Sequence, residues 1–277
     1  MILVDNNQII IGSLFAQTKN GQEVSHDLIR HMVLNTYRIM KNKFSREYGE
    51  LVICHDSGDC WRKKFFPEYK ANRKKQKKKS VIDWDGIFDI FHMIRTEVQE
   101  NFPYKHMYIP HAEADDIIAI LTKKYHTEEK VLIVSSDKDF QQLQRFPNVS
   151  QYTPLHKKML ICDNPLKFLT HHIIKGDASD GIPNILSDDD AFVNENKRQK
   201  PCGVKKIDVI SGELEQWTTE RNWQRNQTLI DFTYIPEEMQ GEIVEMFETQ
   251  EVSDRSKIFN YMITHKLKNL MEVVGEF

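Results

Sequence analysis

Aspartate residues stand at the ends of three apolar, strand-length runs in the first half of the sequence. ILVD ends in Asp5, LVICHD ends in Asp56, and VLIVSSDKD carries Asp137 and Asp139. Because parallel strands bring their carboxyl ends to one edge of a sheet, we expect these side chains to converge there. Like charges in one crevice destabilise a fold unless a cation compensates them. The pattern therefore predicts a metal site.

Further acidic residues extend this set. A group at 113–116 begins a helical pattern just beyond a fourth apolar run, HMYI, and two aspartates lie in KGDASDGIP at 175–183. An aspartate at a strand end is also common as a helix cap or turn former. The metal-site hypothesis therefore rests on the repetition of acids at several strand ends and not on any single residue. The predicted metal ligands are Asp5, Asp56, Glu113, Asp115, Asp116, Asp137, Asp139, Asp177 and Asp180.

The predicted ligands are oxygens, which favours Mg²⁺, with Mn²⁺ as a substitute, over zinc. The number of carboxylates predicts two ions, with some acids acting through water. Two such ions would activate a water and neutralise a phosphate, which is the chemistry of phosphodiester hydrolysis. The sequence contains no Walker A or GxSxG pattern that would offer a rival chemistry. We interpret His55, His111 and the pair His171 and His172 as surface or packing residues.

A strongly basic segment follows Asp56. Although the net charge of the chain is −3, residues 62–79 hold ten Lys or Arg against one Glu. Such a segment attracts phosphate, and its aromatic neighbours could stack on bases or pack beneath it; a solvated charged surface is the alternative. Lys70 and Arg73 are expected beside a phosphate at the metals. The predicted nucleic-acid contacts are Arg62, Lys63, Lys70, Arg73, Lys74, Lys75, Gly203, Lys205 and Lys206.

Strands and helices alternate over the first 175 residues. Ser25 can cap one helix, and further helical patterns begin at Trp84 and at residue 113. This order predicts an α/β fold with a mostly parallel central sheet covered by helices on both faces, followed by helices and loops after residue 175. With 277 residues, no apolar run near the roughly 18 of a membrane span, and four cysteines without CxxC pairs, we expect a reduced, cytoplasmic protein.

Several motifs together resemble the structure-specific 5′-nucleases, a family that includes flap endonucleases and the 5′-nuclease domains of bacterial DNA polymerase I. The resemblance covers nearly the whole chain. The matching motifs are LVDNNQI at 3–9, HDSGDCWRKKFFPEYKANR at 55–73, DWDGIF at 83–88, EADDIIAIL at 113–121, VSSDKDFQQL at 134–143, PLHKK at 154–158, KGDASDGIP at 175–183 and the final GEF.

The resemblance implies an organisation and a set of roles. Residues 1–175 would form an α/β nuclease core with a basic helical arch at about 57–82, and residues 176–277 a helical region that binds duplex DNA. The first metal would lie among Asp5, Asp56, Asp115 and Asp137, and the second nearer Asp139, Asp177 and Asp180. The residues implied to be catalytic are Asp5, Asp56, Asp115, Asp137, Asp139, Lys70 and Arg73.

The family also carries a helix-three-turn-helix motif, from which this sequence departs. Asn184 replaces a glycine of that motif, and residues 186–201 resemble an insertion before GVKKI. Gly203 to Lys206 are the candidates for phosphate contact through backbone amides and lysines. We also expect residues 70–80 to be mobile without substrate.

The implied activity is 5′-to-3′ removal of RNA or DNA from RNA–DNA hybrids and duplex DNA, with cleavage of 5′ flaps. In a phage this means clearing RNA primers from lagging-strand fragments. Members commonly work beside a sliding clamp or a single-strand binding protein; since the first strand begins at Ile2, we expect no N-terminal extension that could serve as a partner peptide. We expect a monomer that does not contact membranes.

Two other functions remain open from the sequence. The first is a branched-DNA binding protein that keeps the fold without the chemistry; the acid set argues against it, because a pure binder gains affinity by losing repulsive charge. The second is a PIN-like RNA endonuclease, a related fold with fewer acids, against which Asp177 and Asp180 argue.

Overall fold

The computed structural model describes residues 1–18, 25–73 and 84–277. Its central sheet has the strand order β3-β2-β1-β4-β5-β6, and every neighbouring pair is parallel except β5 with β6. The predicted α/β fold with a mostly parallel sheet is thereby confirmed. The strands are β1 Ile2–Asp5, β2 Leu51–Cys54, β3 Lys105–Met107, β4 Val131–Val134, β5 Val149–Thr153 and β6 Lys158–Leu160.

Helices connect and cover the strands. Over the first 175 residues they are α1 Asn6–Thr18, α2 His26–Tyr48, α3 Trp61–Phe65, α4 Trp84–Asn101, α5 Ala114–Tyr125, a 3-10 helix at Lys138–Arg145 and α6 Pro165–Lys175. The later helices are α7 Val204–Gly212, α8 Leu214–Trp217, α9 Arg221–Ile230, α10 Glu237–Thr249, α11 Ser256–Thr264 and α12 Lys268–Met271. The predicted cap is confirmed, since Ser25 Oγ accepts a hydrogen bond from the Leu28 N–H at 3.3 Å.

Two buried clusters lie on the two faces of the sheet. On one face Val4 packs with side chains of α2 and α4, such as Leu34 and Ile94. On the other face Leu3 packs with side chains of α5, such as Ile117. Side chains alternate along β1 because successive residues of a strand point to opposite faces. Each fully buried aliphatic side chain stabilises the fold by about 1.5–3 kcal/mol, so both layers stabilise the sheet whose edge carries the acids.

A third cluster joins the base of the basic segment to the later helices. Phe66 and Tyr69 pack with Ile174 of α6 and Ile207 of α7. The last helices contact the sheet layers instead, because α11, α12 and Phe277 belong to the first cluster and α10 to the second. The division at 175/176 stays a prediction. Within the described ranges, none of the helices is both long and apolar enough to cross a membrane.

The strand ends differ from the predicted ones. The ladder of β2 stops at Cys54 and that of β4 at Val134, so Asp56 and Asp137 lie in the loops that follow. Asp137 caps the 3-10 helix by accepting a hydrogen bond from the Asp139 N–H at 2.9 Å, which turns the chain away from the sheet. Strands β5 and β6 were not predicted, because their short sequences lack a sustained apolar run.

Candidate metal centre

The carboxyl ends of β1, β2 and β4 meet at one edge of the sheet. Asp5 lies opposite Cys54 in the β1–β2 pair, and Val4 lies opposite Val134 in the β1–β4 pair. Asp5 Oδ2 accepts a hydrogen bond from Ser135 Oγ at 3.0 Å, which ties the end of β1 to the loop after β4. The sheet therefore places Asp5 beside the loop that carries the later acids.

The loop after β2 is tied to the start of α5. Asp56 Oδ1 accepts a hydrogen bond from the Ala114 N–H at 2.7 Å, and its Oδ2 accepts one from Asn7 Nδ2 at 2.5 Å. A carboxylate held by an amide at a helix N-terminus is also stabilised by the helix dipole. These two contacts bring Asp56 and Asp115, the second residue of α5, to the edge where β1 ends.

Two of these acids, Asp5 and Asp115, lie close enough to other acids of the edge for the charges of those acids to raise their pKa values. Burial raises the pKa of Asp5 to about 7, with added repulsion from Asp56 and Asp137. Burial also raises the pKa of Asp115 well above its usual range, with repulsion from Asp137 and Asp5. The structure thus brings together the four residues expected around the first metal.

The acids expected near the second metal lie next to this group. Burial raises the pKa of Asp139 to about 7, opposed by His172 and reinforced by Asp137, Asp177 and Asp180. Burial would also raise the pKa of Asp177, but hydrogen bonds from His172, Lys138 and Ser179 hold it well below its usual range. Asp177 is therefore an ionised, fully engaged carboxylate.

A tight turn positions Asp177 and Asp180. The backbone of Asp177 exchanges two hydrogen bonds of 2.8 Å with Ile182. Gly176 precedes the turn at φ +68°, and a Cβ there would lie 2.4 Å from the carbonyl oxygen of Ile182. Only glycine fits this position, because the backbone is left-handed and the turn folds directly over it.

Glu113 and Asp116 contact protein cations. Glu113 precedes α5 and forms a capping box with Asp116. Burial would raise the pKa of Glu113, but Lys70 and Arg62 lower it to about 2. Asp116 is fully buried. Its Oδ2 accepts hydrogen bonds from Arg62, from Trp61 Nε1 and from the Glu113 N–H. Its Oδ1 lies 2.8 Å from Arg62 Nη2. Of the nine predicted acids, these two are the ones bound to Arg62.

Arg62 does not fit the prediction that it contacts nucleic acid. Its side chain is 4% exposed, and Nε donates to the Leu229 carbonyl oxygen at 2.9 Å. The ion pairs with Glu113 and Asp116 occupy the rest of the guanidinium. A buried guanidinium whose three nitrogens all contact protein oxygens is not available to a phosphate. The charge pattern could not reveal this, since Arg62 stands in the same basic run as the exposed Lys64.

Lys70 and Arg73 lie at the acidic edge, as expected. Lys70 has φ +57°, and its N–H donates to the Asp180 carbonyl oxygen at 2.7 Å. Its Nζ contacts Glu113 and lies 3.4 Å from Asp180, while Arg73 pairs with Asp180 Oδ1 at 2.5 Å. A cavity of about 510 Å³ opens between Asp56, these two cations and α4. Lys63 is half-buried beside it, whereas Lys74 and Lys75 lie outside the described residues.

The other predicted phosphate contacts lie at the start of α7. Gly203 is the N-cap residue of α7 without a side-chain cap, and Lys205 and Lys206 are exposed. The preceding loop is anchored: Asn184 donates to the Lys200 carbonyl oxygen at 2.7 Å. Asn184 is thus a structural residue of this loop, and the helix-three-turn-helix motif stays a prediction.

His172, which we interpreted as a packing or surface residue, is buried between two acids of the site. Its Nε2 lies 3.1 Å from Asp177 Oδ2, and its Nδ1 lies 3.5 Å from Asp139 Oδ1. His55, by contrast, is a packing residue, hydrogen-bonded to Asn6 and His106. The sequence offered one usable signal, because His172 lies in the last turn of the helix that leads directly to Asp177.

The site fits divalent cations. Buried carboxylates with raised pKa values repel one another until a cation neutralises them. Among the described residues, Asp139 Oδ1 and His172 Nδ1 are buried polar atoms without a hydrogen-bond partner, and they face each other. Atoms of Asp139, His172 and Asp177 lie within 4.8 Å of one another, as ligands of one ion do.

Comparison with known proteins identifies related sequences over the whole chain. The family described as "5'-3' exonuclease, N-terminal resolvase-like domain" matches residues 1–167, and "T4 RNase H, C terminal" matches residues 166–277. Ribonuclease H of Enterobacteria phage T4 is 32% identical over 99% of this chain and 95% of its own length. Flap endonuclease Xni of Shewanella oneidensis is 33% identical over 45% of this chain and 48% of its own length.

Solved structures share the fold. The 5′-exonuclease of T5, solved with bound zinc ions, has a TM-score of 0.64 at 16% identity, over 90% of this chain and 98% of the other. A flap endonuclease of bacteriophage T5 in a pseudo-enzyme-product complex with DNA and metal ions has a TM-score of 0.62 at 16% identity, over 99% and 98% of the two chains. These likenesses support the mostly parallel sheet flanked by helices.

Proposed function

Because this chain belongs to the 5′-3′ exonuclease family, we propose that it is a Mg²⁺-dependent nuclease that removes RNA and DNA from the 5′ ends of duplexes and cleaves 5′ flaps. The family makes the chain a phosphodiester hydrolase. The observation that carries the proposal is the convergence of Asp5, Asp56, Asp115 and Asp137 at the carboxyl edge of the sheet.

The acids divide into three roles. Asp5, Asp56, Asp115 and Asp137 would hold a first divalent ion, and Asp139 with the turn at 177–180 would hold a second. Glu113 and Asp116 would act indirectly. Their contacts with Arg62 fix the start of α5 and thereby position Asp115. The bound ions would supply a lowered water pKa and positive charge at the phosphate.

Lys70 and Arg73 are the proposed phosphate contacts. Burial would lower the pKa of Lys70, but Asp180 and Glu113 raise it, so this side chain is a cation at every working pH. Without substrate both cations pair with acids of the site. A phosphodiester bound at the metal ions would give Lys70 and Arg73 a second anionic partner a few ångströms away.

The substrate is proposed from the relatives. The T5 structure described above contains DNA, and the phage T4 relative is a ribonuclease H, so the proposed substrates are duplex DNA and RNA–DNA hybrids with a free 5′ end or flap. The intact acid set disfavours a non-catalytic DNA-binding protein. The turn carrying Asp177 and Asp180 disfavours a PIN-like ribonuclease that cuts single strands.

The proposal also covers the biological process, the oligomeric state and the cellular compartment. We propose a role in removing RNA primers from lagging-strand fragments during phage replication, by a monomer in the cytoplasm of the host cell. A contact with a sliding clamp or a single-strand binding protein remains a prediction. Sedimentation of the protein alone and with each partner would test the oligomeric state and these contacts.

The experiment is cleavage of a 3′-labelled duplex that carries a 5′ RNA segment or a 5′ flap, with Mg²⁺ and with EDTA. We expect products released from the 5′ side, with Mg²⁺ and from an open end. The matched control is the same duplex with its 5′ end closed by a hairpin. Cleavage of single-stranded RNA alone would favour the PIN-like alternative, and tight binding without cleavage would favour the DNA-binding protein.

A further inference from the structure

The cavity beside the acidic edge is large enough to receive part of a substrate. Its volume is about 510 Å³, within the range of about 300–1,000 Å³ that is usual for pockets that bind small molecules. Asp56, Lys70 and Arg73 line one side of it. Tyr108 and side chains of α4 line the other. A group the size of a nucleoside therefore fits directly beside the proposed cleavage site.

The α4 wall of this cavity is aromatic. Phe88 and Phe91 both line it, and their ring centres lie 6.2 Å apart in an edge-to-face arrangement. The Phe88 side chain is 49% exposed, whereas its neighbours Ile87 and Ile90 are buried in the first cluster. A single exposed phenylalanine on a surface carries no inference. Here two rings form one wall of a cavity, and such a surface can stack on a nucleobase.

Arg95 adds a positive charge to the same wall. Its guanidinium lies over the Tyr108 ring, 4.1 Å from the ring centre, and its Nη2 donates a hydrogen bond to His92 Nδ1 at 3.1 Å. In the part of the chain that the structure describes, no carboxylate forms an ion pair with Arg95. A guanidinium that is oriented by stacking keeps donors at its edge for an anion such as a phosphate.

The strand order of the sheet gives the cavity a direction relative to the metals. Tyr108 follows β3 and Asp56 follows β2, so the cavity lies towards that end of the acidic edge. Asp139 follows β4 and contacts His172 of α6, against which α7 packs, so the predicted duplex contacts lie towards the other end. A strand that leaves the duplex and crosses the metals enters the cavity next. Because the duplex retains the 3′ side, the cavity receives the nucleotide on the 5′ side of the cut.

We propose that the cavity holds the base of the unpaired nucleotide on the 5′ side of the cut phosphodiester. The base would stack on Phe88 and Phe91, and Arg95 would contact the 5′ phosphate of the same nucleotide. A paired base is excluded, because it would have to leave its stack to enter. The inference rests on the proposed function, since it names the part of the substrate that the site binds beside the metals.

Removal of that one base tests the proposal with the unaltered protein. The cut position is first mapped on a 5′-flap duplex in Mg²⁺, and the nucleotide on its 5′ side is then replaced by an abasic analogue. We expect single-turnover cleavage to slow about 10-fold, as loss of one stacked base predicts. The matched control carries the analogue four nucleotides further out and should slow less than 2-fold. Equal rates for the two abasic flaps overturn the proposal.

Two variants assign the effect to the aromatic wall. Phe88→Ala should slow cleavage of the unmodified flap and remove the difference between this flap and the abasic one. The matched control is Phe259→Ala on α11, whose side chain is 47% exposed, and it should keep that difference. General damage to the fold would slow both flaps equally, so loss of the difference reports on the contact itself. Retention of the full abasic effect by Phe88→Ala overturns the proposal.

Binding without cleavage separates this inference from the proposed function. In EDTA, 2-aminopurine placed at each of the three flap nucleotides nearest the duplex should be quenched at one position by the unaltered protein and by Phe259→Ala, but not by Phe88→Ala. Quenching without Mg²⁺-dependent cleavage of any 5′-ended duplex would contradict the proposed function and keep the base site. Cleavage without quenching at any of these positions would overturn the base site and leave the nuclease intact.

Discussion

At the scale of single residues, burial of acidic groups, with repulsion among them as a second effect, is the main property of the metal-free site. Asp5 is 7% exposed, and its pKa of about 7 lies above the value of about 3.9 for an unfolded chain. The folded state therefore binds a proton that the unfolded state has lost between these values. This group contributes stability below pH 4, and the contribution is lost as the pH rises through 7.

Asp5→Asn should stabilise the metal-free protein at high pH. The amide keeps the acceptor for Ser135 Oγ and removes the charge that repels Asp56 and Asp137. We expect a gain of about 2 kcal/mol at pH 8 and no gain near pH 4, measured by urea unfolding in EDTA. The control is Asp59→Asn, at an exposed acid. A gain independent of pH would contradict the account.

Residue identities could be predicted better than residue environments. The acids at the strand ends could be found because their spacing follows the apolar runs, and the structure brings Asp5, Asp56, Asp115 and Asp137 together. The burial of Arg62 could not be predicted, and the placement of His172 was indicated only by its position shortly before Asp177. Both depend on which side of a helix faces the site, and that is decided by packing between segments distant in sequence.

At the scale of elements, the turn at 176–182 holds the second group of acids. Gly176→Ala should distort this turn, because its Cβ would lie within 2.6 Å of the backbone of Ile182 and Pro183. We expect a loss of about 2–4 kcal/mol in the free energy of unfolding and weaker binding of the second metal. Chemical unfolding and calorimetric titration with Mn²⁺ provide the measurements. Gly241→Ala, in the open middle of α10, is the control and should be neutral or slightly stabilising.

The buried ion pairs of Arg62 with Glu113 and Asp116, at the start of α5, should also be required for stability. Arg62→Met leaves the buried Asp116 without its cation and Glu113 with Lys70 alone, so we expect a loss of about 3–5 kcal/mol in stability. Thermal melting of this variant beside Lys64→Met, at an exposed position of the same helix, measures the difference. Stability equal to that of Lys64→Met, with weaker DNA binding, would restore Arg62 as a nucleic-acid contact.

Elements with strong periodicity could be predicted from the sequence, including α2, α4 and α5. The short strands β5 and β6 could not, because tertiary pairing with β4 determines them more than local sequence does. The same holds for the loop at 184–203, whose conformation depends on contacts such as Arg225 with Asp189 at 2.5 Å.

At the scale of the whole molecule, the end of the chain closes one sheet layer. Phe277 is fully buried and lies 5.5 Å from Phe102, ring centre to ring centre. Phe277→Ala should lower the free energy of unfolding by about 3–5 kcal/mol, because it opens a cavity in the first cluster. Urea unfolding compares it with Phe259→Ala, whose ring is 47% exposed. Similar small losses for both variants would show that the C-terminus is not part of this core.

The central claim is that the acidic edge of the sheet is a metal-dependent centre for cutting nucleic acid from a 5′ end. The measurement is Mg²⁺-dependent cleavage of a 3′-labelled 5′-flap duplex by the unaltered protein and by Asp137→Asn, with binding of the same duplex measured in EDTA. The account predicts products from the 5′ side for the unaltered protein, at least about 100-fold slower cleavage for the variant, and equal binding by both. Undiminished cleavage by Asp137→Asn would contradict it.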